Sequence, residues 1–365
     1  MIGIGVLGCG YFGAEFARAV REMEGAELVK VYSPGAGAER VSRELGCERA
    51  ESVQALMEDP RIQAVIVATP NYLHHEHVLM GAEAGKHIFC EKPFSLNVSD
   101  AREMVHGCKK AGKVLMVGHI MHFYAGIWEL KARIDRGELG RILSMHIQRT
   151  GWEKKKAGVS WKKMQAQSGG HLFHHIHELD LLQWMLGVPE EIYGAGGNLG
   201  HQGEGFGDED DVLLLLARFP GGQVASMEYG SGFRTGSHMV RVNGILAGAV
   251  IDFQTARIRI TGDEGEEIIP LFQDEESEEA IRKLFQRTDG GIAYGSPGER
   301  PPQYILTALR KELDLFLQAI RGEAIPEGYG DLFDGTSAIR SVEIAQMGLL
   351  SRREGRPVLR GALEG

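Results

Sequence analysis

Cysteine is scarce in this chain: Cys9, Cys47, Cys90 and Cys108 are scattered through 365 residues, and no two form a CxxC pair. That pattern argues against a cysteine-built zinc site or a disulfide framework and fits reduced, mostly buried thiols. Long apolar runs are also missing. The longest, such as "VLLLLA" (212–217), fall far short of the ~20 residues that span a bilayer. The start, "MIGIGVLGCG", has no charged n-region and no cleavage signal, which reads as an unprocessed, cytoplasmic chain. Positive charge is not in excess either. With 40 Lys and Arg against 50 Asp and Glu, the formal net charge is −10. A chain of that sign does not take nucleic acid or an anionic membrane as its main partner.

What is present suits a soluble globular protein with a sizeable core: 43% hydrophobic and 25% charged residues. The length suggests two domains. Over residues 1–120, strand-like runs ("IGIGVLG" 2–8, "AELVKVY" 26–32, "IQAVIVAT" 62–69, "KHIFCEK" 86–92, "KVLMVGH" 113–119) alternate with helix-spaced segments. Strands that are apolar on both faces and separated by helices predict a doubly wound parallel sheet, an α/β Rossmann-type domain. From 121 to 365 the texture changes. A helix at 125–140, a strand at 141–152 and a helix at 174–186 precede strand-like runs at 211–219, 222–230, 238–243, 248–253 and 256–261. These runs are separated by turn signals and predict an α+β domain with a mainly antiparallel, open sheet. Residues 273–302 read as a long loop, a lid or an oligomer arm. Two helices close the chain, at 305–323 and 335–355, and the last of them is placed to pack back on the first domain.

Gly8-Cys9-Gly10-Tyr11-Phe12-Gly13 is a GxGxxG that ends a strand and opens a helix inside a βαβ unit. In that context it is a dinucleotide-binding loop. Gly8 permits the turn, Gly10 leaves room for a pyrophosphate, Gly13 lets helix and strand pack, and the helix N-terminus attracts the anion. Tyr11 and Phe12 complete the loop. At the end of the second strand, where NAD enzymes usually carry an acid, stands Ser33, with Arg40 beyond it. This leaves NAD(P) as the cofactor, tilted toward NADP.

"ATPNYLHHEHVLMGAEAGKHIFCEKPFS" (68–95) and "DGTSAIRSVEIAQMGLLSRREGRPV" (334–358) add to the glycine loop. Together they resemble the glucose–fructose oxidoreductase / inositol dehydrogenase (Gfo/Idh/MocA) family nearly end to end. The resemblance implies a nicotinamide-dependent oxidoreductase acting on a ring hydroxyl or carbonyl of a sugar, cyclitol or glycoside. It also implies a homodimer or homotetramer, and an open sheet that carries the substrate site and often the dimer contact. Thr69, Pro70, Asn71, His74, Glu91 and Lys92 would line the cofactor. Lys92, the lysine of EKP, would sit beside the nicotinamide and the reacting oxygen. A fixed ammonium there suits the stabilisation of alkoxide character as hydride leaves carbon.

"SGGHLFHHIHELD" (168–180) places His171, His174, His175 and His177 within seven positions. By the resemblance, His177 is the catalytic histidine and Asp180 the later acid of the pattern. Phe173 occupies the position of the family's earlier Asp, with His174 as a neighbouring substitute. As a proton carrier near neutrality, His177 fits general acid/base work. A metal held by His174, His177 and a carboxylate is a weaker reading, because the chemistry needs none, and no metal is expected. Packing or substrate hydrogen bonding is the third. His171 and His175 are expected to lie away from the reacting atoms. His122 stands where many relatives carry an Arg, and Trp161 and Lys162, with Trp152, lie where relatives line the sugar pocket. His122, Trp161, Lys162, His174 and His177 are therefore the expected substrate contacts. His74 and His77 form an HxxH more suited to packing or cofactor contact than to metal. Two rivals stand beside the dehydrogenase: glycoside cleavage by internal redox with retained NAD, and a non-catalytic dinucleotide-binding protein.

Overall fold

The computed structural model describes residues 1–273, 276, 278–280, 282–283 and 300–363. The 273–302 stretch, expected as a loop, lid or arm, falls largely outside them. The chain divides into two compact units: Met1–Ile120 with Leu306–Val342, and Met121–Ile305 with Glu343–Gly365. Among the described residues no helix is long and apolar enough to cross a membrane.

The first unit alternates β1 (Ile2–Leu7), α1 (Tyr11–Glu22), β2 (Ala26–Tyr32), α2 (Ala36–Leu45), β3 (Glu48–Arg49), α3 (Val53–Met57), β4 (Ala64–Val67), α4 (His74–Glu83), β5 (His87–Glu91), α5 (Val98–Lys110) and β6 (Leu115–Gly118). The six strands lie in the order β3-β2-β1-β4-β5-β6, and every pairing is parallel. Such a sheet needs cover on both faces. β5 shows how it is given. Ile88 and Cys90 join a core with Val78 and Ala82 of α4 and Met104 and Cys108 of α5. Phe89, on the opposite side, packs against Phe16 of α1 at 5.1 Å and Phe316 of the helix Gln303–Ile320 at 5.9 Å between ring centroids. Asn97 caps α5, accepting the Asp100 N–H at 2.8 Å. The helix Thr336–Glu354 begins in this unit, where Ala338 joins the same core, and ends in the second.

The second unit contains α6 (Ala125–Asp135), β7 (Ile142–Trp152), α7 (Gln165–Ser168), α8 (His171–His174), α9 (His177–Leu186), β8 (Glu191–Gly197), β9 (Val212–Arg218), β10 (Val224–Gly230), β11 (Gly232–Gly244), β12 (Ala247–Asp252), β13 (Arg257–Gly262), β14 (Gly265–Pro270) and β15 (Val358–Leu359). Among the described residues its nine strands run β14-β13-β12-β11-β7-β10-β9-β8-β15. Only β7–β10 is parallel. Side chains alternate along the strands: Leu213, Leu215 and Ala217 of β9 are buried, while Leu214 and Leu216 are exposed.

One expectation needs correction. The single helix at 174–186 is two helices, broken at His175 (φ −110°, ψ 46°) and entered through Gly169 and Gly170 at positive φ. "HHIH" has only middling helix propensity. The break lets Leu172, Phe173 and Ile176 bury on one segment and Leu179, Leu181 and Leu182 on the next. His171, His174 and His177 therefore do not form a stripe on one continuous helix.

Candidate functional site

In the first unit the three loop glycines are small for different reasons. Gly8 sits at φ +94°, and a Cβ there would run into the backbone of Ala68; a Cβ at Gly13 would run into the carbonyl of Gly8. Both are demanded by the protein's own packing. At Gly10 a Cβ would meet nothing within 4 Å. Gly10 is also the N-cap of α1, makes no side-chain cap, and is followed by no acid in the first turn. A bare, positively polarised helix N-terminus behind a glycine that the protein does not itself require is the cradle a pyrophosphate needs. Tyr11 and Phe12 stand edge to face beside it at 5.3 Å. Ser33 follows β2 and turns its hydroxyl to Pro34 O at 3.4 Å. Arg40, exposed on α2, makes no ion pair among the described residues and lies near Cys9, whose thiol burial pushes up to about 12 against the pull of Arg40.

The β4 and β5 loops are tied together from below. His74 Nδ1 faces Pro93 O at 2.8 Å and Nε2 faces Thr69 O at 2.9 Å. The ring is buried, which pushes its pKa down to about 4. His74 thus lies between the two loops, and its neutral ring, with a single N–H, donates to one of the two carbonyls. Thr69 Oγ1 lies 3.0 Å from His77 Nδ1, and Asn71 is buried beside Pro70. Neither histidine of the HxxH faces open space. Lys92 follows β5, joined to Pro93 by a cis peptide. Its N–H donates to Glu91 Oε2 at 3.2 Å. Desolvation raises the Glu91 carboxyl to about 7 against the pull of the Lys92 ammonium.

In the second unit His177 opens α9 and is buried, with Nδ1 enclosed. Asp180 accepts from His122 Nε2 at 2.7 Å, and the His122 ring stacks on Trp184 at 3.9 Å. His122 is fully buried. Its placement fits an internal support for α9. Trp161 is partly exposed and meets His174 edge to face at 6.3 Å. Lys162 lies 6.0 Å from the Trp161 ring and makes no ion pair among the described residues. Although Lys162 as a whole is exposed, partial desolvation and then the nearby Lys156 lower its pKa.

Apart from His171, the residues gathered next had no sequence signal. Lys163 bridges Glu153 at 3.0 Å and Glu209 at 2.7 Å, and His171 Nε2 lies 3.3 Å from both Glu209 and Ser231 Oγ. Burial, then Lys163, pushes His171 well below its usual range, so its ring is neutral. Burial raises Glu209, with Lys163 opposing. His171 also stacks near His175 at 5.4 Å. Below them Arg149 pairs with Glu178, and His238 Nε2 lies 2.6 Å from Glu178 Oε1. These groups come from separate loops and strands, which only the folded sheet brings together.

The dinucleotide cradle, the lysine at a strand end and the histidine-rich second unit define an NAD-dependent oxidoreductase. Residues 2–119 match the family model described as "Oxidoreductase family, NAD-binding Rossmann fold", and residues 131–359 match "Oxidoreductase family, C-terminal alpha/beta domain". The chain belongs to this Gfo/Idh/MocA family. It is 44% identical over 362 residues, 98% of this chain and 97% of the other, to the 2,7-anhydro-N-acetylneuraminate hydratase of Escherichia coli K12. It is 30% identical over 279 residues, 73% of this chain and 80% of the other, to the scyllo-inositol 2-dehydrogenase (NAD(+)) of Bacillus subtilis. Among solved structures, levoglucosan dehydrogenase in complex with NADH and levoglucosan shares the fold, with a TM-score of 0.78, 20% identity and 98% of each chain covered.

Proposed function

We propose that this enzyme opens an anhydro-sugar by internal redox, with hydride taken from a ring carbinol and later returned. The observation that carries this is the near end-to-end likeness to a hydratase whose substrate is an anhydro-sugar. The second unit supports it, because it holds more proton-handling groups than one hydride transfer requires.

Bound NAD(P) would supply the hydride acceptor and donor, held by Gly8, Gly10, Gly13, Thr69, Pro70 and Asn71. Lys92 Nζ hydrogen-bonds the carbinol oxygen and steadies its negative charge. His177 Nε2, across the ring from the enclosed Nδ1, takes the hydroxyl proton and gives it back. Once the carbinol is a ketone, the neighbouring C–H is acidic. A base removes that proton, the bridging C–O bond breaks with protonation of its oxygen, and water adds. His174, beside Trp161, is the group offered for these extra proton transfers. Lys162 and Trp161 hold the sugar. The net change is one water gained and no nicotinamide consumed. Ser33 in place of an acid, and Arg40, without an ion pair among the described residues, favour acceptance of NADP. We assign the enzyme to homodimers or homotetramers, in keeping with the exposed Tyr193, Leu214, Leu216 and Val224 on the open sheet.

The test is incubation with 2,7-anhydro-N-acetylneuraminate and a trace of dinucleotide. Many molecules hydrated per cofactor, without accumulation of reduced nicotinamide, would support the reading. Reduced nicotinamide formed one for one with a sugar or cyclitol would favour the second reading, an ordinary dehydrogenase like the inositol enzyme it resembles at 30% identity.

A further inference from the structure

Helix α9 starts at His177 without a side-chain N-cap. The turn that carries this histidine is held instead by two buried contacts. Glu178 is fully enclosed and pairs with Arg149 Nη1, itself 2% exposed, and with His238 Nε2 at 2.6 Å. Arg149 and His238 stand opposite each other in register on the neighbouring strands β7 and β11. On the other side, Asp180 holds His122 at 2.7 Å. At 100° per residue, positions 178 and 180 lie on either flank of position 177. The first turn is therefore gripped on both sides of His177.

The charges explain how the grip holds. Burial works against the Glu178 carboxylate, but Arg149 and His238 outweigh it and keep the group at about 2. Burial, then Arg149, pushes His238 down to about 4, so its neutral ring donates Nε2–H to Glu178. His238 is further fixed by stacking on Phe253 at 4.0 Å. A buried ion pair is a poor device for stability alone, because well-packed apolar residues of similar volume often serve as well. Its value lies in the fixed direction of its bonds.

We propose that Arg149, Glu178 and His238 are positioning residues that clamp the first turn of α9 and so aim the His177 ring for proton transfer. The clamp rests on the reading of His177 as the base. A displacement of the order of 1 Å at such a group costs roughly 100-fold in rate, which sets the scale of the expected effect.

The test is the double variant Arg149→Met with Glu178→Leu, which removes both charges and keeps the bulk. The expected result is a melting temperature and dinucleotide affinity close to wild type, KM within about twofold, and kcat down by about 30-fold or more. A folded double variant with wild-type kcat overturns the proposal. If the double variant does not fold, His238→Phe and His238→Gln decide. The Phe variant keeps a ring but loses the donor, whereas Gln restores an N–H for Glu178. A lower kcat in Phe that Gln rescues supports the clamp, and equal kcat in the two overturns it. His177→Asn separates the two layers of the argument. If it turns over normally, the reading of His177 fails and the clamp with it. If it is inactive while the folded double variant is fully active, only the clamp fails.

Discussion

Lys162 is a cation without an ion-pair partner among the described residues, unlike Lys156 and Lys163 on either side, which pair with Glu153 and, for Lys163, with Glu209 as well. Partial desolvation and Lys156 lower the pKa of its ammonium, and an anion placed beside it would raise that pKa again. We expect Lys162→Met to raise KM for an acidic anhydro-sugar by about tenfold and to leave kcat and the KM of a neutral anhydro-sugar unchanged, since one charged hydrogen bond is worth roughly 1.5–3 kcal/mol. Steady-state kinetics on the two substrates checks this, and an equal loss on both would remove Lys162 from carboxylate recognition. Lys92→Ala and His177→Ala should each lower kcat by about 100-fold or more. Retention of half the wild-type turnover in either would vacate its assigned role. Lys92 and His177 stand out in the sequence because each belongs to a short local motif. The partners of His122 do not. Its position matched a pocket residue, but Asp180 lies 58 positions on, and the stacked Trp184 further still, so only the fold brings them to the ring.

At the scale of elements, the start of α1 separates what the fold needs from what a ligand needs. Gly10→Ala should leave the melting temperature within a degree or two, because its Cβ meets nothing. It should weaken NAD(P) binding by about tenfold or more, because the methyl enters space that a pyrophosphate would fill. Gly13→Ala should destabilise the unit outright, because its Cβ meets the Gly8 carbonyl. Calorimetric titration with dinucleotide, paired with thermal melts, reads both. Equal, small effects of the two substitutions would mean that Gly10 faces no ligand. This element was legible because the glycine pattern, the preceding apolar strand and the helical spacing after it all agree. The α8–α9 break was not. Apolar spacing suits one helix over 174–186, and the middling helix propensity of "HHIH" is too weak a mark of the interruption at His175. β3 and β15, two residues each, and the glycine-rich β8 are too short or too weakly patterned to stand out, and become strands only because a neighbour offers a ladder.

For the whole molecule, acid should act through buried histidines as well as through carboxylates. His74 lies between the β4 and β5 loops as a neutral ring that donates to one of their two carbonyls, with its pKa pushed from 6.5 down to about 4 by burial. Between those two values the unfolded chain binds a proton at this position and the folded one does not. Stability therefore rises with pH across that window: the contribution of His74 is complete above about 6.5 and is lost as pH falls toward 4. By pH 5 the loss amounts to about 2 kcal/mol. Glu91 pulls the other way, since a carboxyl raised to about 7 makes the folded state bind the extra proton between its ordinary value and 7. The raw pH profile of the protein thus mixes opposing terms, and the difference between two proteins isolates one of them. His74→Gln keeps a donor for one of the two carbonyls but cannot titrate. It should be less stable than wild type at pH 7.5, and its deficit should shrink by about 2 kcal/mol at pH 5. Denaturant unfolding of both proteins at the two pH values, following the transition of the Rossmann unit, measures this. A deficit that stays constant with pH would show that the His74 ring titrates alike in the folded and unfolded chain, and that the loops it joins do not depend on its being neutral.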